Sequence, residues 1–235
     1  MLKNQHIFIT GGTGFIGSTL AGRLIENNKV IIYDNLTRNS LRDKPYKNHP
    51  NLNLIPGDIL DCKKLKNCMA GSRYIIHCAA IAGVDSVIEH PVGTMRVNLL
   101  GSANVLKAAE QLENCERVIC FSTSEVFGQY SFHNDEADSI KLKQTGEARW
   151  TYAISKLFEE YLATAYFIEK KLPIVVLRPF NIYGPGQIGE GAIRIFIQQA
   201  IQNQPLKIHG DGTQIRAWCY IDDMIDAVLT VLTHP

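Results

Sequence analysis

Gly11-Gly12-Thr13-Gly14-Phe15-Ile16-Gly17 stands between the apolar run His6 to Thr10 and a helix-like stretch from Ser18 to Asn27. Glycines at 11, 12 and 14 allow a tight strand-to-helix turn whose backbone meets a ligand with no side chain between. Gly17 lets the helix lie close to the sheet, and the free N–H groups at the helix N-terminus favour a pyrophosphate. Glycine also collects in flexible turns, so the motif depends on its surroundings. The next apolar run, Val30-Ile31-Ile32-Tyr33, ends in Asp34, twenty-three positions after Gly11. That is where an acceptor for the adenine-ribose hydroxyls of a dinucleotide belongs. A carboxylate there repels a 2′-phosphate, which favours NAD; Arg38, four residues on, leaves NADP open.

Working outward, strand-length apolar runs recur at Leu52 to Ile55, Tyr74 to Ala79, Val118 to Ser122 and Ile174 to Leu177, most of them separated by segments of helical period. Near-continuous apolar strands alternating with helices predict an α/β fold with a doubly wound parallel sheet covered on both faces. Two long helical stretches are expected, roughly Val92 to Glu113 and Trp150 to Lys171. After Pro179 the rhythm changes. Gly184-Pro185-Gly186 and Gly189-Glu190-Gly191 read as loops, Ala192 to Gln202 as a helix, Leu206 to His209 as a short strand, and a last helix begins at Asp222. The expected organisation is a dinucleotide-binding domain over 1–178 and a small substrate lobe over 179–235 interleaved with the sheet.

The 235 residues suffice for one domain with a large core, or one plus a small appendage. Twenty-four Lys and Arg balance twenty-three Asp and Glu without a basic block, which argues against a nucleic-acid partner. No apolar run approaches the ~20 residues of a membrane span, and no cleavable signal pattern opens the chain, so a cytoplasmic location is expected. Six cysteines (62, 68, 78, 115, 120, 219) include no C-x-x-C pair, and Cys78 and Cys120 lie in apolar runs. They read as buried thiols, and no metal site is expected.

Tyr152 and Lys156 are four apart on an expected helix, so their side chains share a face one turn from each other. An ammonium near a phenol favours the phenolate and makes a tyrosine a usable base near neutrality. Ser122-Thr123-Ser124-Glu125 follows the run Val118 to Phe121, at the carboxyl end of a parallel strand where ligands bind. Its hydroxyls suit the orientation of a substrate hydroxyl, and Glu125 suits proton transfer. Ser and Thr ahead of Glu also fit a helix N-cap, although the residues that follow are loop-like.

Together these residues resemble the extended short-chain dehydrogenase/reductase family, and within it the nucleotide-sugar epimerases and dehydratases. The resemblance spans nearly the whole chain. It includes the glycine turn, Asp34, Gly57-Asp58-Ile59, His77-Cys78-Ala79-Ala80, Asn98, Ser122 to Gly128, Tyr152 with Lys156, Arg178-Pro179-Phe180-Asn181, and Asp211 to Asp223 with Arg216. It implies a Rossmann fold and NAD held by Gly11, Gly14, Phe15, Ile16, Gly17, Asp34, Asn35, Asp58, Ile59, Ala79, Ala80, Asn98, Ser122, Tyr152, Lys156 and Pro179. It implies Thr123, Ser124, Glu125, Tyr152 and Lys156 as catalytic residues, and Asn181 and Arg216 on the nucleotide diphosphate. The implied reaction begins with oxidation at sugar C4, Tyr152 taking the hydroxyl proton as NAD takes the hydride, and yields a 4-keto sugar open to dehydration, decarboxylation or epimerisation.

The triplet at 123 to 125 separates these branches. It reads Thr-Asp-Glu in dTDP-glucose dehydratases, while GDP-mannose dehydratases and UDP-glucuronate decarboxylases are closer to the Thr-Ser-Glu found here. UDP-galactose 4-epimerases usually lack the Glu. Arg149 to Ala153 resembles the segment before the tyrosine in decarboxylase and apiose-synthase relatives. The resemblance therefore ranks a 4,6-dehydratase-like reaction first, decarboxylation second and 4-epimerisation third. Ser124 in place of Asp leaves acid assistance open, and Arg194, where relatives often have proline, leaves the base open. The two long helices are similar to those that form an intersubunit bundle in the family, which implies a homodimer. Family members continue past the point matching Pro235, so a complete cofactor site and a partly open sugar site are expected. A non-catalytic dinucleotide-binding sensor or scaffold is the alternative of another class, which needs neither Tyr152 nor Lys156.

Overall fold

The computed structural model describes residues 2–128, 134–138, 140, 147–148, 150–189 and 191–234. Its first half alternates β1 (His6–Thr10), α1 (Phe15–Leu24), β2 (Lys29–Asp34), β3 (Leu52–Pro56), α2 (Cys62–Met69), β4 (Tyr74–His77), α3 (Val84–Glu89), α4 (Pro91–Met95) and α5 (Gly101–Glu110). Then follow β5 (Arg117–Phe121), α6 (Trp150–Lys170), β6 (Ile174–Leu177), β7 (Asn181–Tyr183), α7 (Ala192–Ile201), β8 (Trp218–Tyr220) and α8 (Ile221–Thr233). A π-helical segment, Arg96–Leu100, joins α4 to α5 without a break, so Pro91 to Glu110 is one long helical stretch.

Six strands form a parallel sheet in the order β3-β2-β1-β4-β5-β6. Chain direction across the sheet reverses between β1 and β4, and the crevice at the carboxyl ends of those two strands is where such folds bind ligands.

Period-two alternation explains the two cores. Ile7 and Ile9 of β1, with Val30, Ile32, Ile76 and Ile119, bury one face against Leu20, Ala21 and Leu24 of α1 and Met224, Ile225 and Val228 of α8. Phe8, Tyr33, Ile75, Val118 and Cys120 bury the other against α2, α5 and α6. Each such apolar side chain contributes about 1.5–3 kcal/mol relative to exposure. Helix α8, although last in the chain, is thus part of the main core.

Three expectations for the elements shift. The first helix begins at Phe15 rather than Ser18, because Gly14 already has extended N-cap geometry. Leu206 to His209 is an exposed irregular segment instead of a strand. The strands of the C-terminal part are β7 and β8, three residues each, paired in parallel.

Candidate active site

The glycine turn is fixed by its own backbone. The Gly11 N–H donates to Tyr33 O (3.0 Å), the Gly14 N–H to Gly11 O (3.1 Å) and the Ser18 N–H to Gly14 O (2.9 Å). Gly11 has φ +67°, and a Cβ there would lie 2.5 Å from Ala79 N and 2.7 Å from Ala79 Cα. A Cβ on Gly17 would lie 2.7 Å from Gly11 O and from Gly12 Cα. The turn, the start of α1 and the backbone after β4 therefore pack without side chains between them. Helix α1 has no side-chain cap and no acidic residue in its first turn, which leaves its positive end open to an anion.

Asp34 is buried at the end of β2, where Oδ2 accepts from the Thr13 N–H (3.0 Å) and Oδ1 from the Leu36 N–H (2.7 Å). One carboxylate so ties the glycine turn to the loop beyond β2. Thr13, the non-glycine of the turn, donates from Oγ1 to Arg38 O (3.1 Å). An Asp34→Ala variant is expected to lose about 1–3 kcal/mol from the two freed donors. Its urea midpoint measures this loss; a midpoint equal to that of the parent contradicts the tie.

A cleft of ≈ 580 Å³ lies over the sheet's carboxyl edge. This is a size suited to small-molecule and cofactor sites. Its walls include Gly11, Gly14 to Gly17, Asp34, Asn35, Asp58, Ile59, Ala79, Ala80, Ser122, Thr123, Tyr152, Lys156 and Pro179. Residues far apart in sequence converge because parallel strands end at one edge. Phe180, Ile182, Gln187 and Ile188 line it from the C-terminal part.

Five of the residues singled out from sequence stand outside that wall. Asn98 is wholly buried in the π-helical segment. Its Oδ1 accepts from the Ile81 N–H (2.9 Å), and its Nδ2 donates to Ile81 O (3.1 Å) and Ser155 Oγ (3.0 Å). Ser155 Oγ in turn donates to Tyr152 O (2.7 Å). Asn98 so braces the loop after β4 and the first turn of α6 from behind the cleft.

Ser124 and Glu125 lie in a 3-10 turn, Ser124–Phe127. Thr123 Oγ1 accepts from the Glu125 N–H (3.3 Å), the capping role that the sequence also allowed. The Ser124 N–H donates to Pro179 O (2.9 Å), which ties this turn to the end of β6. Arg178 clamps Glu160 of α6 through Nε (2.9 Å) and Nη2 (2.6 Å), and its guanidinium lies 5.0 Å from the centre of the Phe127 ring. Glu125 itself is exposed. Asn181 Nδ2 donates to Ala217 O (3.0 Å), and Arg216 is exposed beside it in sequence, with Nη1 on Ile215 O (2.9 Å). Arg149 lies outside the described residues.

Tyr152 and Lys156 both face the cleft. Burial pushes the Tyr152 phenol above its ordinary range; the Lys156 charge pulls it down, and Glu125 and Glu159 push it up again. The attraction expected from the sequence is present, but desolvation outweighs it. Lys156 Nζ donates to Glu159 Oε2 (2.8 Å), with the two side chains 2% and 0% exposed. Sequence reasoning missed Glu159, although 152, 156 and 159 fall on one helical face.

Among the described residues, Ser122 Oγ is buried with no hydrogen-bond partner although it lines the cleft. A buried hydroxyl left unpaired in a polar cleft suits a ligand that completes it. With the open helix end and the glycine cradle, the donor set fits a dinucleotide. His77, at the end of β4, lies 2.7 Å through Nδ1 from Thr10 Oγ1 and 3.0 Å through Nε2 from Ser102 Oγ, and burial lowers its pKa to about 4. It is a neutral strut between β1, β4 and α5. All six cysteines are free, and no metal-binding cluster of His, Cys, Asp and Glu occurs among the described residues.

Sheet order, glycine cradle and the Tyr-Lys face define a dinucleotide-dependent enzyme of the doubly wound class. The chain belongs to the NAD dependent epimerase/dehydratase family, whose sequence profile matches residues 7–235. NAD is the family's cofactor, and the family's enzymes modify nucleotide sugars. The chain is 36% identical over 233 residues to a UDP-N-acetyl-alpha-D-glucosaminuronate decarboxylase of Bacillus cytotoxicus, covering 97% of this chain and 71% of that one. It is 32% identical over 247 residues to a dTDP-D-glucose 4,6-dehydratase of Dictyostelium discoideum, covering 97% of this chain and 55% of the relative. The structure is similar to that of UDP-glucuronic acid 4-epimerase from Bacillus cereus in complex with UDP-glucuronic acid and NAD, with TM-score 0.86, 29% identity and coverage of 97% and 73%.

Proposed function

We propose that this chain binds NAD in the cleft and converts a nucleotide sugar through a 4-keto intermediate, with a 4,6-dehydratase-like outcome. The observation that carries the reading is the juxtaposition, in one cleft wall, of the glycine cradle with Ser122, Tyr152 and Lys156. When bound, NAD supplies reversible hydride acceptance at sugar C4. Tyr152 Oη takes the C4 hydroxyl proton, and the Lys156 ammonium stabilises the phenolate and keeps N–H groups for ribose hydroxyls. Ser122 and Thr123 orient the sugar. A ketone at C4 acidifies the C5 hydrogen, which Glu125, at the turn beside the cleft, is assigned to remove. Asn181 and Arg216 are assigned to the diphosphate, Arg216 as a bidentate donor. Residues 179–235 are read as a partial sugar-binding lobe interleaved with the sheet, α8 being the part that packs into the main core.

Decarboxylation is the second reading, favoured by the Bacillus cytotoxicus relative and by the Thr123-Ser124-Glu125 triplet. The discriminating experiment supplies NAD and a panel of UDP-, dTDP- and GDP-hexoses and hexuronates and identifies products by mass spectrometry. Loss of water from a hexose supports the first reading, and loss of carbon dioxide from a hexuronate supports the second. An epimer of unchanged mass, separated by chromatography, supports 4-epimerisation, and no turnover of any sugar by either readout favours a sensor or scaffold.

A homodimer is part of the same proposal. The helical stretch 91–110 and α6 expose Val92 (80%), Leu100, Tyr161 (71%), Phe167 and Ile168, an apolar surface of the kind helices bury against a second copy. Light scattering at micromolar concentration is expected to give twice the chain mass; a monomer contradicts it. No helix among the described residues is long and apolar enough to cross a membrane, and a cytoplasmic location belongs to the proposal.

A further inference from the structure

The Lys156–Glu159 contact is an ion pair with almost no access to water, placed directly behind the cleft. Taking a charge out of water is costly, and a lone buried ammonium tends to shed its proton. Glu159 Oε2 lies 2.8 Å from the Lys156 Nζ, while its Oε1 accepts no hydrogen bond among the described residues. A carboxylate serving the fold as a polar knot would spend both oxygens on backbone or side-chain donors. Lys156 supplies its ion pair, and the Cys120 thiol is its other side-chain partner.

We infer that Glu159 is a positioning residue: it is the buried counter-ion that keeps Lys156 protonated and holds its ammonium at the cleft wall beneath Tyr152. The groups around the pair come from several elements. Tyr152 shares α6, Cys120 faces it from β5, His77 and Cys78 from β4 and the residue after it, and Glu125 from the turn after β5 acts on Tyr152. The neighbouring thiols and imidazole provide no second counter-ion, since burial lowers His77 to about 4 and raises Cys78 to about 12. For Lys156, burial is the largest influence and lowers its pKa, yet the net direction is upward, with Glu159 the largest opposing cause. The charge thereby maintained is the one that draws on the Tyr152 phenol. Lys170, by contrast, pairs with carboxylates at the open surface, where water would sustain its charge without them.

This role rests on the reading of Lys156 as the partner of Tyr152 in catalysis. Its test is therefore made first on the full chain without NAD or sugar, where it does not depend on which sugar is converted. NMR of lysine-labelled protein, with the Lys156 signal assigned by its absence in Lys156→Met, follows deprotonation of the ammonium. In Glu159→Gln, which keeps the shape and an acceptor oxygen, the Lys156 titration is expected at lower pH than in the parent by about one unit or more. Glu159→Asp, which keeps the charge, is expected to restore most of the difference. Once a sugar substrate is in hand, the alkaline limb of the kcat profile should move toward neutrality in Glu159→Gln and back again in Glu159→Asp.

An unchanged Lys156 titration in folded Glu159→Gln overturns the inference. If Glu159→Gln does not fold, Lys156→Met/Glu159→Leu decides. A folded double variant shows that the unpaired ammonium caused the failure and supports the counter-ion role. An unfolded one shows that Glu159 serves packing independently of Lys156 and overturns it.

Discussion

Tyr152→Phe is expected to lower nucleotide-sugar turnover by about 10²–10⁴-fold while NAD affinity stays close to that of the parent. The substitution removes one oxygen and leaves the ring, so the cleft wall, with the Gly11 turn and Ser122, keeps its form. What is lost is the phenol that reaches the cleft from α6 and to which the proposal assigns the exchange between O–H and O⁻ beside Lys156. Burial holds the phenol protonated in the chain alone, and the charge of Lys156 works against it. Steady-state kinetics and NAD calorimetry check the two halves separately. Turnover within a few-fold of the parent would move the base elsewhere, whereas loss of NAD binding would mean that the phenol builds the cofactor site instead of doing proton chemistry.

Gly11→Ala is expected to be the most damaging single change in the cofactor cradle. Its φ of +67° is strained for any residue with a Cβ. The added methyl would sit 2.5 Å from Ala79 N and 2.7 Å from Cys78 C, both backbone atoms of a chain held by the Cys78 N–H bond to Thr10 O (3.0 Å). Neither neighbour is a flexible side-chain tip, so the strain is not relieved by a rotamer change. Strain and overpacking together amount to about 2–6 kcal/mol. For a chain of this size that corresponds to a Tm lower by roughly 4–24 °C. Thermal denaturation and NAD titration read the two effects. A variant with the parent's Tm and affinity would show that the glycine turn does not pack on the strand ends as described.

Much of the fold is legible in the sequence because it follows from local pattern. Continuous apolar runs such as Val30 to Tyr33 and Val118 to Phe121 have one explanation, strands covered on both faces, and their alternation with helices fixes a parallel sheet. The C-terminal part resists the same reading. Strands β7 and β8 are three residues long, too short for any periodic signal, and exist because Asn181 to Tyr183 and Trp218 to Tyr220 find each other across about 35 residues of chain. Leu206 to His209 has the local composition of a strand but pairs with no strand among the described residues, and stays exposed.

The candidate site divides along the same line. Gly11, Gly14, Gly17 and Asp34 are readable because backbone geometry and ligand chemistry prescribe them at set spacings. Asn98 has no local signal for its bracing role, since its partners Ile81 and Ser155 lie 17 and 57 positions away. Glu159 has the helical spacing but looks in sequence like any exposed acidic residue beside Glu160. Only the packing of α6 on the sheet reveals that one of the two neighbours is buried on Lys156 while the other meets Arg178.

The most direct test of the account is rapid mixing of NAD-loaded protein with a convertible nucleotide sugar, made once with hydrogen and once with deuterium at C4. Reduced nicotinamide should form on mixing, more slowly with the deuterated sugar, and be absent or strongly diminished in Tyr152→Phe. Product formation at equal rates from both sugars, with no reduced nicotinamide at any time, would contradict a reaction that opens by oxidation at C4.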